Sequence, residues 1–274
     1  VAPSAIHALH MGSHIYYALG MWEQGVERNT RSFEEAVARQ ASPDDPYGNQ
    51  AYHALTWIPY GLQQMDARER ARAHIEQIAK QAAAYPDQPV HRRHYVATRA
   101  SYLVDTQEWD SELAKVQIDH TGLSPYDLAT DYYVQGLIAL NGDDMAGAKH
   151  ALEAMSANGA ADMPANAPLR RANVAPALLR LALQGQIALA EGDTDKAIAL
   201  ISEAEQLEAS VPSEYGPAVP VQPMAELLAD VYRATGDSDK AREYYELSLQ
   251  RAVGRIRSLN GLKALDAPRM SSSQ

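Results

Sequence analysis

His7, His10 and His14 fall within the stretch IHALHMGSHIYYALG (Ile6 to Gly20) and make up a third of the nine histidines in the chain. Imidazoles placed this closely serve one of three ends: ligating a divalent metal, binding a peptidic or acidic partner, or packing as hydrogen-bonded residues between helices. The pair His10/His14 has the i, i+4 spacing that sets two imidazoles on one helical face, a spacing used for zinc. The glutamate of an H-E-x-x-H site is missing, because Met11, Gly12 and Ser13 stand between them. Ser13 adjoins His14 and so points about 100° away around a helix. No carboxylate lies close in sequence, and a Ser-His-acid nucleophile is disfavoured. The absence of cysteine excludes disulfides, thiolate ligands and a cysteine nucleophile. Phosphate-cradling patterns are missing as well.

The elements that must carry these histidines repeat along the chain. LLRLALQGQIALAEGDTDKAIALISEAEQL (Leu178 to Leu207) and MAELLADVYRATGDSDKAREYYELSLQRA (Met224 to Ala252) share one design. Each reads as an apolar-periodic helix, a turn in which glycine ends the helix and aspartate starts the next, and a second amphipathic helix. The GDTDKA and GDSDKA aspartates lack the glycine and glutamate of a calcium loop, so they read as turn chemistry. Equivalent turns fall at Gly20, Asp66, Gln107 and Gly142. The third is the poorest, since Glu112 occupies the place of a small residue; Gly25, Ala71, Gly147, Ala197 and Ala241 take that place in the others.

This pattern resembles the tetratricopeptide repeat (TPR), on the residues Ala229, Ala241 and Tyr245 in the last hairpin and Gly185, Ala197 and Ile201 in the one before. The resemblance implies an all-α, right-handed superhelical solenoid of about six helical hairpins with a C-terminal capping helix. The hairpins span about 3–39, 47–84, 90–119, 125–157, 168–209 and 222–253, the cap 254–266, as one unit over 1–267 with a disordered tail over 268–274. Proline-rich connections separate them; Pro217-x-x-Pro220-x-x-Pro223 reads as a stiff loop, with a polyproline ligand as the alternative. The phrase APSAIHALHMGSHI before an L-G-x-W turn is similar to a bacterial TPR group, as are His53-Ala54-Leu55 and the loop Gly216 to Pro223. In that group further histidine-bearing repeats lie upstream, which implies that the chain is a C-terminal portion of a longer protein.

In such a superhelix the first helix of each hairpin lines the concave face. Equal offsets back from each turn give His7, His10, His14 and Tyr17, then His53, Thr56, Tyr60 and Gln63, then His94, Ala97, Ser101 and Val104. The later hairpins give Ala129, Tyr132, Gly136 and Ala139, then Leu179, Ala182, Gln186 and Leu189, then Pro223, Glu226, Asp230 and Arg233. Five of the nine histidines thus fall on the expected inner wall.

The expectation is a non-enzymatic scaffold that holds a protein or peptide partner through His7, His10, His14, Tyr17, His53, Thr56, Tyr60, His94 and Tyr132. No cofactor is expected. The alternative is a metal-binding protein or metal-dependent enzyme with a divalent ion on His10, His14 and His53, joined by His7. Packing, self-association or the upstream repeats could instead cover the wall. A net charge of −11 argues against a nucleic-acid partner, and no apolar run has the length of a membrane span. The reading is of a soluble protein; its compartment, cytoplasm or periplasm, is left open.

Overall fold

The computed structural model describes residues 5–42, 45–163, 168–213 and 215–267; the expected tail over 268–274 and the first residues of the first hairpin lie outside them. Among the described residues there are helices and connections and no strand. Successive helices pair as α1 (Ile6–Ala18) with α2 (Trp22–Val37), α8 (Pro125–Asn141) with α9 (Met145–Ala157), α10 (Arg171–Ala190) with α11 (Thr194–Ala209), and α12 (Met224–Thr235) with α13 (Ser238–Arg251). The second pair is divided, as α3 (Asn49–Leu55), α4 (Trp57–Gln64) and α5 (Arg68–Ala84). Pro59 has no N–H for the Leu55 carbonyl, and the helix steps at Thr56. The chain is an α-solenoid in which hairpins stack on their sequence neighbours.

Each hairpin turns through one left-handed residue: Gly20, Asp66, Gln107, Asp143, Gly192 and Gly236. In the fourth hairpin the turn residue is therefore Asp143, one position beyond the expected Gly142. Asp144, Asp193 and Asp237 then cap the second helices by accepting from the backbone N–H groups of Gly147, Lys196 and Lys240. The small residue at the helix crossing is wholly buried as Ala71, Ala148, Ala197 and Ala241. Ala148, not Gly147, does this work in the fourth hairpin, as the one-residue shift of the turn requires.

Close packing explains the small residues. A Cβ on Gly25 would stand 2.1 Å from the Tyr17 ring, and one on Gly185 would stand 2.5 Å from Ile201. Tyr17 cannot yield, because its hydroxyl donates to the Trp57 carbonyl at 2.7 Å and its ring is stacked on Trp57.

The third hairpin departs from the pattern. After α6 (Pro89–Thr106) the second helix is the single turn α7 (Glu112–Lys115). Its carbonyls would lie orphaned had buried Arg99 not taken them: Nε donates to Leu113 O at 2.6 Å and Nη2 to Ala114 O at 3.1 Å. Asp131 on α8 balances that cation at 3.1 Å.

Part of the concave space is occupied by the chain itself. The connection over 215–223 turns inward, with Val221 and Gln222 buried and Gly216 against the Trp57 ring. Pro217 and Pro220 thus belong to an internal wedge, which corrects the alternative of a polyproline ligand. The link from α13 to α14 (Ile256–Asp266) crosses the turn ends of the first three hairpins. There Gly254 O accepts from Trp22 Nε1, and Ile256 N–H donates to Gln64 Oε1 at 3.0 Å. Arg255, fully buried, holds Asp105 at 2.6 Å and Glu226 at 2.8 Å. Arg257 reaches Asp230 at 2.5 Å and donates to the Val104 carbonyl. The terminal helix packs on α12 and α13, and the segment before it locks the array shut.

Two stability outcomes follow. Gly25→Ala is expected to cost about 1–3 kcal/mol by overpacking against Tyr17, whereas Gly12→Ala, with open space around its Cβ, gains about 0.5–1 kcal/mol in helix propensity; urea unfolding of both variants checks the contrast. Arg255→Leu leaves buried Asp105 without its cation and Glu226 with Arg257 alone, and is expected to cost about 3–5 kcal/mol. A loss below about 1 kcal/mol in the same measurement would show that the lock is not what closes the array.

Candidate functional site

The inner face carries two features, a histidine wall at the N-terminal end and an open trough beside it. Helix α1 brings His10 and His14 to the same side, one turn apart, and α3 lays His53 across them. The His10 and His53 ring centres are 4.1 Å apart, and one ligating nitrogen from each of His10, His14 and His53 falls within 4.8 Å of the others. His7 flanks the group, its ring centre 6.1 Å from that of His53. A cavity of about 230 Å³ opens beside them, lined by Ile6, His7, His10, Ser32, Asn49 and His53 among others.

His10 is anchored and the others are freer. Only 1% of its surface is exposed, and its Nδ1–H donates to Asn29 Oδ1 of α2 at 2.6 Å. That bond leaves His10 Nε2 with its lone pair toward His14 Nε2, 3.1 Å away, so His14 supplies the proton in that contact. Burial pushes the His10 pKa down to about 4; the Asn29 bond opposes this, and His53, His14 and His7 lower it further. His14 and His53 are shifted the same way, with burial the main cause. Burial thus favours the neutral form of His10, His14 and His53, the form in which imidazole is a ligand.

The trough runs along the middle hairpins. One cavity of about 290 Å³ is bounded by Thr56, Trp57, Gln63, His94, Ala97 and Tyr126, with Pro217 of the inward loop. A second, of about 420 Å³, shares His94, Ala97 and Tyr126 and continues to Asn173 and Pro176 on α10. Gln63 is buried on its floor: its Oε1 accepts from Ser101 Oγ at 3.2 Å, and its Nε2 has no hydrogen-bond partner. His94 lies flat against Tyr52 at 4.3 Å between ring centres. Burial pushes its pKa down to about 3, with Arg93, His91 and His53 adding to the shift.

No family model matches the chain, and no curated protein matches it. Among solved structures it is similar to a thermophilic TPR protein of Thermus thermophilus, at 17% identity and a TM-score of 0.38, over 94% of this chain and all of that one. The α-solenoid assignment rests on the helix pairs and their turns. No helix among the described residues is long and apolar enough to cross a membrane.

Of the residues expected on the wall, the structure brings His7, His10, His14 and His53 into one group and sets Thr56 and His94 in the trough. Tyr17 and Tyr60 point inward but are only 3% and 2% exposed. Trp57 and Trp22 pack on Tyr17, and Arg255 lies against the Tyr60 hydroxyl at 3.5 Å, so neither presents a surface to a partner. Burial pushes the Tyr60 pKa up to about 12, with Arg255 opposing. Tyr132 is placed elsewhere, its hydroxyl 3.2 Å from His120 Nδ1 and accepting from Asn158 Nδ2 at 3.0 Å. Its neighbour Tyr133 takes the inner position, bonded to Gln222 of the wedge at 2.5 Å and to Gln186 at 2.9 Å. The left-handed Asp143 shifts the offsets by one; the D-D pair after Gly142 was the available signal. Gln63 and Gln186 also lay at inner offsets, whereas Trp57 and Tyr126 carried no offset signal.

His94 predicts an acid sensitivity with a definite sign. The unfolded chain takes up its proton near the ordinary value of 6.5, and the folded chain only near 3, so this contribution is complete above the higher value and lost as pH falls toward the lower. His94→Gln is expected to remove about 2 kcal/mol of the stability lost between about pH 7 and 5. Urea melts at the two pH values measure it, and an unchanged difference would refute it.

Proposed function

We propose that the protein is a non-enzymatic binding scaffold that holds an extended peptide segment in the trough between α4, α6, α8 and α10. The observation that carries this reading is the unpartnered Gln63 Nε2 donor on the floor of a continuous groove. A buried donor without an acceptor is costly, and a small shift of the Gln63 side chain toward the groove lets an arriving peptide carbonyl relieve it. The walls around it suit alternate apolar side chains: Trp57, Pro59 and Pro217 on one side, Ala97 and Tyr126 on the other. Extended peptides bind this way, with backbone bonds for affinity and pockets for selectivity. A protein or peptide partner also accords with the negative charge, which disfavours nucleic acid.

A displayed library of random peptides, selected on the protein, tests the reading. Enriched peptides are expected to bind Ala97→Arg at least about tenfold more weakly than wild type, a loss of ~1.4 kcal/mol, because the new side chain occupies the groove. The same affinity for both proteins, or no enrichment, would rule the trough out as the site.

A further inference from the structure

Beyond the trough, the histidine wall has the chemistry of a metal centre. We propose that His10, His14 and His53 bind one divalent late transition-metal ion, of the zinc class, with a remaining coordination position facing the cavity beside His7. The three nitrogens already lie within 4.8 Å of one another, with the His10/His14 pair at 3.1 Å. Tetrahedral zinc with Zn–N near 2.0–2.1 Å requires ligand nitrogens roughly 3.3 Å apart. His53 is exposed and His14 half-buried, so small side-chain rotations close the set around His10, which does not need to move.

The surroundings are those of a ligand set. Metal-bound histidines are oriented by a hydrogen bond from the other ring nitrogen, and His10 Nδ1–H already donates to Asn29 Oδ1, itself held by Ser13 Oγ at 3.2 Å. His10 Nε2 already presents its lone pair toward the site, and His14 does so once its proton moves from Nε2 to Nδ1. Imidazole alone favours zinc, copper and nickel over magnesium and calcium. Packing of the rings accounts for the His10–His14 hydrogen bond but leaves His53 exposed over a 230 Å³ cavity. His7, at the cavity's rim, is the protein group placed to take the remaining position; otherwise water or a small anion takes it.

The test is zinc titration of untagged, chelator-treated full chain by calorimetry, with cobalt(II) absorption as a report on coordination geometry. One zinc per chain with Kd of about 1 µM or tighter, and a tetrahedral or five-coordinate cobalt spectrum, are expected. His10 is buried and its loss endangers folding, so the deciding variant is His14→Gln with His53→Gln, both at accessible positions, its fold verified by circular dichroism. The double variant is expected to weaken zinc by about 100-fold or more, and Asn29→Ala by about tenfold with binding retained. His74→Gln, on α5, serves as the control and is expected to bind as wild type. No saturable zinc binding, or a loss below about tenfold in the double variant, overturns the proposal whatever the peptide selection yields.

Discussion

A guanidinium with no exposed surface is tenable only when its charge is matched, and Arg255 is such a group. Its partners come from hairpins far apart in the chain: Asp105 ends α6, and Glu226 begins α12. Gln64 of the second hairpin joins them, donating to Asp105 at 2.7 Å while accepting from the backbone of Ile256. Although burial opposes ionisation of Glu226, Arg255 and Arg257 together hold its pKa down. In a simple solenoid each repeat touches only its neighbours. Here one buried cation ties the second, third and sixth hairpins, and the rest of the inner face is arranged around it.

That closure decides what surface is left for recognition. The link before α14 covers Tyr60, and the 215–223 wedge lies on Trp57, so the centre of the expected groove is occupied by the chain itself. Two places escape. The trough past Ala97 and Tyr126 stays open, continuing from the inward loop at Pro217 to Asn173 and Pro176 on α10. The histidine wall lies beyond the reach of the link, at the end where α1 and α3 meet. Trp57 borders both, with His14 at 4.4 Å on one side and the trough on the other. Occupancy of one site therefore meets the same indole as occupancy of the other.

Much of this was legible in the residues. The inner-wall histidines followed from equal offsets, because a helix repeats its facing direction over a few residues and the turn fixes the phase. The one phase error, Tyr132 for Tyr133, arose because either Gly142 or Asp143 is able to adopt a left-handed conformation and the sequence does not say which one does. The weak third hairpin was visible in Glu112, but the remedy was not: Arg99 supplying donors to the carbonyls of α7 depends on α8 bringing Asp131 alongside. Glu226 and Asp230 were placed on the inner face correctly, though nothing nearby in sequence named their cations.

By itself, then, the sequence determined the hairpins, the alignment of His7, His10, His14 and His53, and the turns and small crossing residues outside the fourth hairpin. Each of these depends on local periodicity or on contacts between neighbouring hairpins. Only the tertiary structure decided that Tyr17 and Tyr60 are sealed, that the proline-rich loop is a wedge, and that three imidazoles converge. Those outcomes depend on small rotations accumulated over successive hairpins until residues 150 positions apart, Asp105 and Arg255, come within 2.6 Å. No local pattern encodes that sum.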